Sequence, residues 1–183
     1  MREIEVKAKL RNKEQVLHKL AELGCALSDP VSQKDTIFIK PGFTIPLPPR
    51  VTALRIRDQG GKFIFTFKQS VSNQLDCLEK EVVIGQPQEM KEIIELLGFV
   101  EFAHVNKIRR KANYKDMEIC IDEVEKLGDF IEAEIITDEA SDDKVQDKLD
   151  KLFEFLTSLG IQKEDQVWDG YDVLIQKLRA NPT

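Results

Sequence analysis

The stretch Arg2-Glu3-Ile4-Glu5-Val6-Lys7-Ala8-Lys9-Leu10 alternates charged with apolar side chains. In an extended strand, successive side chains point to opposite faces of the sheet. Glu3, Glu5 and Lys7 therefore share one face with the second lysine, and the four apolar residues share the other. A single strand of this kind is usually half-buried with a solvated charged face. The meaning of the stretch depends on whether later strands repeat the pattern.

The composition is typical of a globular protein with one hydrophobic core. The chain has 183 residues, of which 42% are hydrophobic and 33% charged. Its three cysteines, Cys25, Cys77 and Cys120, are unclustered and odd in number, which favours reduced thiols. The net charge of −6 argues against nonspecific nucleic-acid binding, and no apolar run reaches the length of a membrane span. We expect one cytoplasmic domain, residues 1–183, without a nucleic-acid or membrane partner.

The hydrophobic period alternates between two and three-to-four along the chain. Asn12 predicts the start of a first helix that ends at Gly24. Further elements are predicted as strands near 33–39, 51–58, 62–69, 76–84, 100–113, 116–125 and 129–137, and as helices at 88–97, 141–158 and 170–178. Strands joined mainly by hairpins, with few helices, favour an antiparallel barrel over a doubly wound sheet. The predicted class is α+β.

Six or more of the predicted strands have one apolar face and one face that carries both signs of charge. Two architectures satisfy this pattern. The charged faces could point to solvent around a sandwich core, or they could line the inside of a barrel whose apolar outside is covered by helices. Burying unpaired charges is costly, so a charged lumen is stable only with internal ion pairs, water or a charged ligand.

A charged lumen would suit a polyanion bound together with a metal ion. The basic residues on the charged faces could bind phosphate oxygens, the arginines with two hydrogen bonds each; they are Arg55, Arg57, Lys68, Lys107 and Arg109. The acids on these faces would repel phosphate but suit Mg²⁺ or Mn²⁺, which prefer oxygen ligands; they are Glu3, Glu5, Asp122, Glu132 and Glu134. The pattern favours a metal–triphosphate site, with solvated charged faces as the alternative.

Several motifs resemble those of one protein family. Glu3-x-Glu5-x-Lys7 resembles the ExExK signature of the CYTH superfamily, the triphosphate tunnel enzymes that include class IV adenylyl cyclases and thiamine triphosphatases. The further motifs follow in the family's order: Gln33-x-Asp35-Thr36-x-Phe38, Ala53-Leu54-Arg55-Ile56-Arg57, Thr66-Phe67-Lys68, Glu79-x-Glu81, Lys107-x-Arg109 and the block Asp122–Glu134. The resemblance covers nearly the whole chain.

The resemblance implies a closed, eight-stranded antiparallel tunnel with helices packed on its outside. It implies that the five basic residues named above bind the triphosphate and that the five acids serve Mg²⁺ or Mn²⁺. Lys7 matches the signature lysine, which contacts phosphate or orients the attacking group, and Glu5 and Glu134 are the catalytic candidates beside it. Glu79 and Glu81 match a further acidic strand that supports the site without binding the metal.

The resemblance leaves the reaction open. A class IV adenylyl cyclase would convert ATP to cyclic AMP and pyrophosphate, and a triphosphatase would hydrolyse tripolyphosphate, thiamine triphosphate or a nucleoside triphosphate. A noncatalytic nucleotide or polyphosphate binder is the third possibility. The chain departs from cyclase-like members at Lys68-Gln69-Ser70, where they often have Lys-Gly-Pro, and at Cys77, where they often have arginine. The cyclase is the first expectation, and a homodimer is possible. Trp168 and Tyr171 are expected to anchor the last helix, with stacking on a nucleotide base as the alternative.

Overall fold

The computed structural model describes residues 2–71, 76–137 and 142–181. The elements of these residues, in chain order, are β1 (Arg2–Lys9), α1 (Lys13–Glu22), β2 (Val31–Ile39), β3 (Thr52–Gln59), β4 (Lys62–Ser70), β5 (Asp76–Ile84), α2 (Pro87–Leu96), β6 (Val100–Tyr114), β7 (Met117–Val124), β8 (Gly128–Thr137), α3 (Asp142–Ser158), β9 (Gln166–Val167) and α4 (Tyr171–Ala180). A single 3₁₀ turn at Lys163–Asp165 precedes β9. None of the helices in these ranges is both long and apolar enough to span a membrane.

Eight of the strands close into an antiparallel barrel. Their order is β5-β4-β3-β2-β6-β7-β8-β1, and β1 pairs with β5 to complete the ring. β1 pairs with β8 along its whole length but with β5 only over residues 2–4. The two-residue strand β9 pairs with Lys7 and Ala8 on the side of β1 that β5 leaves open. The predicted closed eight-stranded barrel, with helices on its outside, is confirmed.

The outward faces of the strands are apolar and lie beneath three of the helices. Ile4 and Ile131 of neighbouring strands pack with Leu156 of α3 in the largest buried cluster, which α1 joins through Leu20. On the other side of the barrel, Ile94 of α2 packs against outward residues of β2 and β3. Burying each of these aliphatic side chains contributes about 1.5–3 kcal/mol to the stability of the fold, relative to leaving it exposed to water. The charged faces must therefore point into the barrel, and the sandwich alternative is wrong.

Helix α4 lies across one end of the barrel. Its residues Tyr171 and Ile175 pack against Ala103, Val105 and Phe130. Val105 is two residues before Lys107 and therefore belongs to the same inward face of β6. The first turn of α4 thus contacts the interior of the barrel, whereas the other three helices cover its outside.

The element boundaries agree closely with those predicted from the sequence. The Asn12 side chain accepts a hydrogen bond of 3.1 Å from the backbone N–H of Gln15, which confirms the predicted start of α1. β2 begins at Val31, two residues before the predicted start. The predicted cap of α3 at Ser141 lies outside the described residues.

Candidate functional site

The interior of the barrel contains a cavity of about 230 Å³ whose wall carries both signs of charge. All of the predicted site residues except Asp122 line it: Glu3, Glu5, Lys7, Arg55, Arg57, Lys68, Glu79, Glu81, Lys107, Arg109, Glu132 and Glu134. They come from six strands, because the alternating pattern places each one on the inward face. The structure therefore brings together residues that are up to 131 positions apart in the sequence.

Asp122 lies behind the cavity wall and holds two of the basic residues. Its side chain has no exposed surface. It accepts hydrogen bonds of 3.0 Å from Lys107 Nζ and 2.7 Å from Arg109 Nε. Burial raises the pKa of this carboxyl, but Lys107 and Arg109 outweigh that effect and hold the pKa below its usual value. Asp122 is therefore an ionised counter-charge to two cations of the wall.

Glu132 links that pair of cations to the signature lysine. It contacts Arg109 Nη2, and its other oxygen lies 3.2 Å from Lys7 Nζ. Lys7 Nζ also donates to Glu5 at 2.9 Å. Burial opposes the charge on Glu132, yet Arg109 and Lys7 lower its pKa well below the usual value. β6, β7, β8 and β1 thus share one continuous buried ion-pair network.

The arginines of β3 belong to two separate ion pairs. Arg57 binds Asp35 with two hydrogen bonds, from Nε and Nη2, each 2.7 Å long. Arg55 Nη2 donates to Glu79 and Glu81 at 2.9 Å each. Glu79 also lies 3.3 Å from Lys68 Nζ. Among the described residues, Arg55 Nε is buried and has no hydrogen-bond partner.

Three carboxylates, Glu3, Glu5 and Glu134, crowd the β1–β8 side of the cavity, where Lys7 pairs with Glu5. Burial, followed by Glu5 and other acids, raises the pKa of Glu134 to about 7. Glu5 and Glu134 are direct partners in the β1–β8 pairing. Burial and a hydrogen bond with Glu79 raise the pKa of Glu3 to about 8. Crowded carboxylates of this kind are stabilised by a bound cation.

Glu3, Glu5 and Glu134 form what we call the metal corner of the cavity. Their oxygen ligands fit a hard divalent ion such as Mg²⁺ or Mn²⁺. Glu3, Glu5 and Glu134 offer only oxygen atoms, and the pKa values of Glu3 and Glu134 stay raised although Lys68 and Arg109, respectively, act to lower them. As the side chains stand, no three acidic, histidine or cysteine residues within ranges 2–71, 76–137 and 142–181 converge into a ready coordination sphere. Binding an ion would therefore require these carboxylates to turn towards each other.

Residues from the C-terminal segment also line the cavity, although no local pattern in the sequence places them there. They are Trp168, Gly170, Tyr171, Asp172 and Val173. Tyr171 does anchor α4, since its ring packs edge-on against Phe130 with centroids 5.1 Å apart. The ring of Tyr171 also contacts Lys7 and Lys107, which are predicted to bind the triphosphate. This contact depends on the position at which α4 packs against the barrel. Leu47 and Val51 add an apolar rim.

Comparison with known proteins places this geometry in a family. A model of the CYTH domain family matches residues 1–171, nearly the whole chain. The chain belongs to the CYTH domain family. A CYTH relative from Methanocaldococcus jannaschii, named "Putative adenylate cyclase", is 34% identical over 174 residues, covering 93% of this chain and 97% of the relative.

Solved structures agree with the CYTH assignment. A Pyrococcus horikoshii protein has a TM-score of 0.77 and 26% identity, with 93% of this chain and 97% of that chain covered. A Hippeastrum protein, described as a "Putative adenylyl cyclase" that reveals a dominant triphosphatase activity, has a TM-score of 0.58 and 17% identity, with 93% of this chain and 91% of that chain covered. At that identity the Hippeastrum structure supports the fold alone.

Proposed function

We propose that this CYTH-family protein is a divalent-metal-dependent enzyme that binds the triphosphate part of its substrate inside the barrel and cleaves a phosphoanhydride bond. One observation carries the proposal: a single cavity combines seven basic side chains with a corner of carboxylates in which the pKa values of Glu3 and Glu134 are raised. A site for anions alone would gain nothing from that corner, and a site for metal alone would not need the basic side chains.

The basic residues would bind the phosphate chain in positions that the acids already fix. Arg57 is held by Asp35, and Arg109 by Asp122 and Glu132. Donors that are oriented before the substrate arrives lose less entropy on binding and stabilise developing charge better. The resemblance assigned Asp122 and Glu132 to the metal ion; we propose instead that both organise cations, because each is already paired with Arg109. Glu79 and Glu81 would orient Arg55.

Lys7 would contact phosphate as a permanent cation. Burial lowers the pKa of its ammonium, but Glu5 and Glu132 raise the pKa well above the usual value. A lysine that stays protonated can donate hydrogen bonds to a phosphate oxygen and cannot act as a base. Glu3, Glu5 and Glu134 would hold the metal ion. When bound, the ion would neutralise charge on the phosphate oxygens as the bond breaks.

Cyclisation of ATP is the first candidate reaction, since the 34% identical relative is named for that activity. The ribose 3′-hydroxyl would attack the α-phosphorus, and pyrophosphate would leave. The apolar rim formed by Leu47, Val51 and Trp168 offers a surface for the nucleoside part. Hydrolysis by water attack on the terminal phosphorus is the second candidate; a Hippeastrum protein of the same fold is described as having a dominant triphosphatase activity. Both reactions depend on in-line positioning.

An end-product assay separates these reactions. Purified protein would be incubated with ATP, tripolyphosphate or thiamine triphosphate, each with Mg²⁺, with Mn²⁺ or with a chelator. Cyclic AMP plus pyrophosphate from ATP is the expected result, dependent on the metal. Release of orthophosphate would identify a triphosphatase instead. Tight binding without turnover would leave the noncatalytic binder, and turnover unaffected by the chelator would contradict the metal requirement.

Domain extent 1–183, cytoplasmic location, absence of nucleic-acid and membrane partners, and homodimer formation stay predictions from the sequence. None of them is needed for the proposed chemistry, because every residue invoked above comes from one chain.

A further inference from the structure

Tyr171 occupies a position in the cavity wall that its place in the sequence does not suggest. It is the first residue of α4 and follows the N-cap residue Gly170. The first three residues of this helix, Tyr171, Asp172 and Val173, line the cavity. The N-terminus of a helix carries a partial positive charge, which favours an anion nearby. That anion is already present, because the Asp172 carboxylate accepts hydrogen bonds from the backbone N–H groups of Asp172 and Val173, so any ligand contact of Tyr171 must come from its side chain.

The hydroxyl group of Tyr171 is buried without a hydrogen-bond partner among the described residues. The side chain is almost fully enclosed, with 7% of its surface exposed. Buried hydroxyl groups in native proteins nearly always have a partner, because an unpaired one loses its hydrogen bonds to water without replacement. A ligand that enters the cavity could supply the missing acceptor.

The ring of Tyr171 is fixed by three contacts. Lys7 Nζ lies 4.5 Å and Lys107 Nζ 5.0 Å from the ring centroid, which are cation–π distances. Phe130 packs against the ring edge-on. The two lysines come from different strands of the barrel, and both are proposed to contact phosphate. The ring of Tyr171 is therefore held beside both ammonium groups.

We propose that Tyr171 is a substrate-binding residue whose hydroxyl donates a hydrogen bond to a phosphate oxygen of the triphosphate chain, next to Lys7 and Lys107. This inference rests on the proposed function. A tyrosine hydroxyl is protonated at neutral pH and is therefore a donor to a phosphate oxygen. The ring adds a second role, because it keeps both ammonium groups on the same side of the cavity.

The test compares two variants that each lose one hydroxyl group. Tyr171→Phe keeps the ring and its contacts with the lysines. Tyr114→Phe is the matched control, because Tyr114 is the only other tyrosine of the chain and stacks on Phe155 at 5.0 Å. Tripolyphosphate with Mg²⁺ would be titrated into each protein by calorimetry. Tyr171→Phe should weaken binding about tenfold or more, the usual range for a lost hydrogen bond to a charged group, and Tyr114→Phe should match the wild type.

The outcomes separate this inference from the function on which it rests. Wild-type affinity in Tyr171→Phe overturns the inference and leaves the proposed function intact. A wild-type protein that binds no tripolyphosphate overturns both. If Tyr171→Phe does not fold, Tyr114→Phe labelled with ¹³C at the tyrosine Cζ gives one signal, from Tyr171. Tripolyphosphate should shift that signal, and an unchanged signal under saturating ligand overturns the inference.

Discussion

Replacing Glu134 by glutamine should reduce metal-dependent turnover of ATP or tripolyphosphate by more than about a hundredfold while the barrel remains folded. The amide that replaces the carboxylate is isosteric, so packing is preserved, but the negative charge of a proposed metal ligand is lost. Initial rates at saturating Mg²⁺ and Mn²⁺ would measure the effect. Unchanged rates would remove Glu134 from the site.

The same substitution should stabilise the metal-free protein at neutral and higher pH. The pKa of Glu134 is raised from 4.5 to about 7 in the folded state. Between these two values the folded state binds more protons than the unfolded state, so the free energy of unfolding falls as pH rises. Glu134→Gln removes this contribution. Its melting temperature at pH 8 should exceed that of the wild type by several degrees, and the two should converge near pH 4.5.

The control for both measurements is Glu123→Gln. Glu123 lies on β7 beside Asp122, but its side chain points outward, is 64% exposed and forms a surface ion pair of 3.4 Å with Lys13. Such a pair contributes little to stability. Wild-type turnover and a wild-type pH profile are expected. If Glu123→Gln reproduced the behaviour of Glu134→Gln, the effect would be one of overall charge and the metal corner would lose its support.

Replacing Arg109 by leucine should give the largest loss of stability of any substitution in the cavity wall, about 3–5 kcal/mol in the free energy of unfolding. Arg109 is the shared partner of Asp122 and Glu132, both of which are buried. Without it, two buried carboxylates keep only Lys107 and Lys7 as ion-pair partners. Urea unfolding followed by circular dichroism would measure the change.

Arg110→Leu is the matched comparison. Arg110 is the next residue of β6, points to the other face and donates one hydrogen bond of 2.9 Å to the backbone oxygen of Ser28. Losing this hydrogen bond should lower the free energy of unfolding by about 1 kcal/mol. If Arg109→Leu were as stable as Arg110→Leu, the ion-pair network would not be the structural unit described above.

The fold could be predicted from the sequence because the features that determine it are local. The alternation in residues 2–10 fixes which face of β1 is buried, and the cap at Asn12 fixes where α1 begins. Hairpin connections then limit the order of the strands. The two-residue β9 was missed because a strand of that length has no period of its own; it exists only where β1 leaves an unpaired edge.

The candidate site could be predicted from the sequence only in part. Alternation placed charged residues on the inward face, but the ion pairs depend on the register between strands. Arg57 and Asp35, for example, are 22 residues apart and meet because β2 and β3 pair at those two positions. The complete burial of Asp122 depends on the packing around it. Tyr171 reaches the cavity through the docking of α4, which no local pattern predicts.

The central claim is that a metal ion and a triphosphate bind together inside the barrel. Crystals grown with Mn²⁺ and tripolyphosphate would test it most directly, because the anomalous scattering of manganese locates the ion independently of the protein. The predicted result is a manganese peak inside the barrel next to Glu3, Glu5 and Glu134, with phosphate density against Arg57 and Lys107. Manganese and phosphate bound only on the outer surface, with the lumen free of both, would contradict the claim.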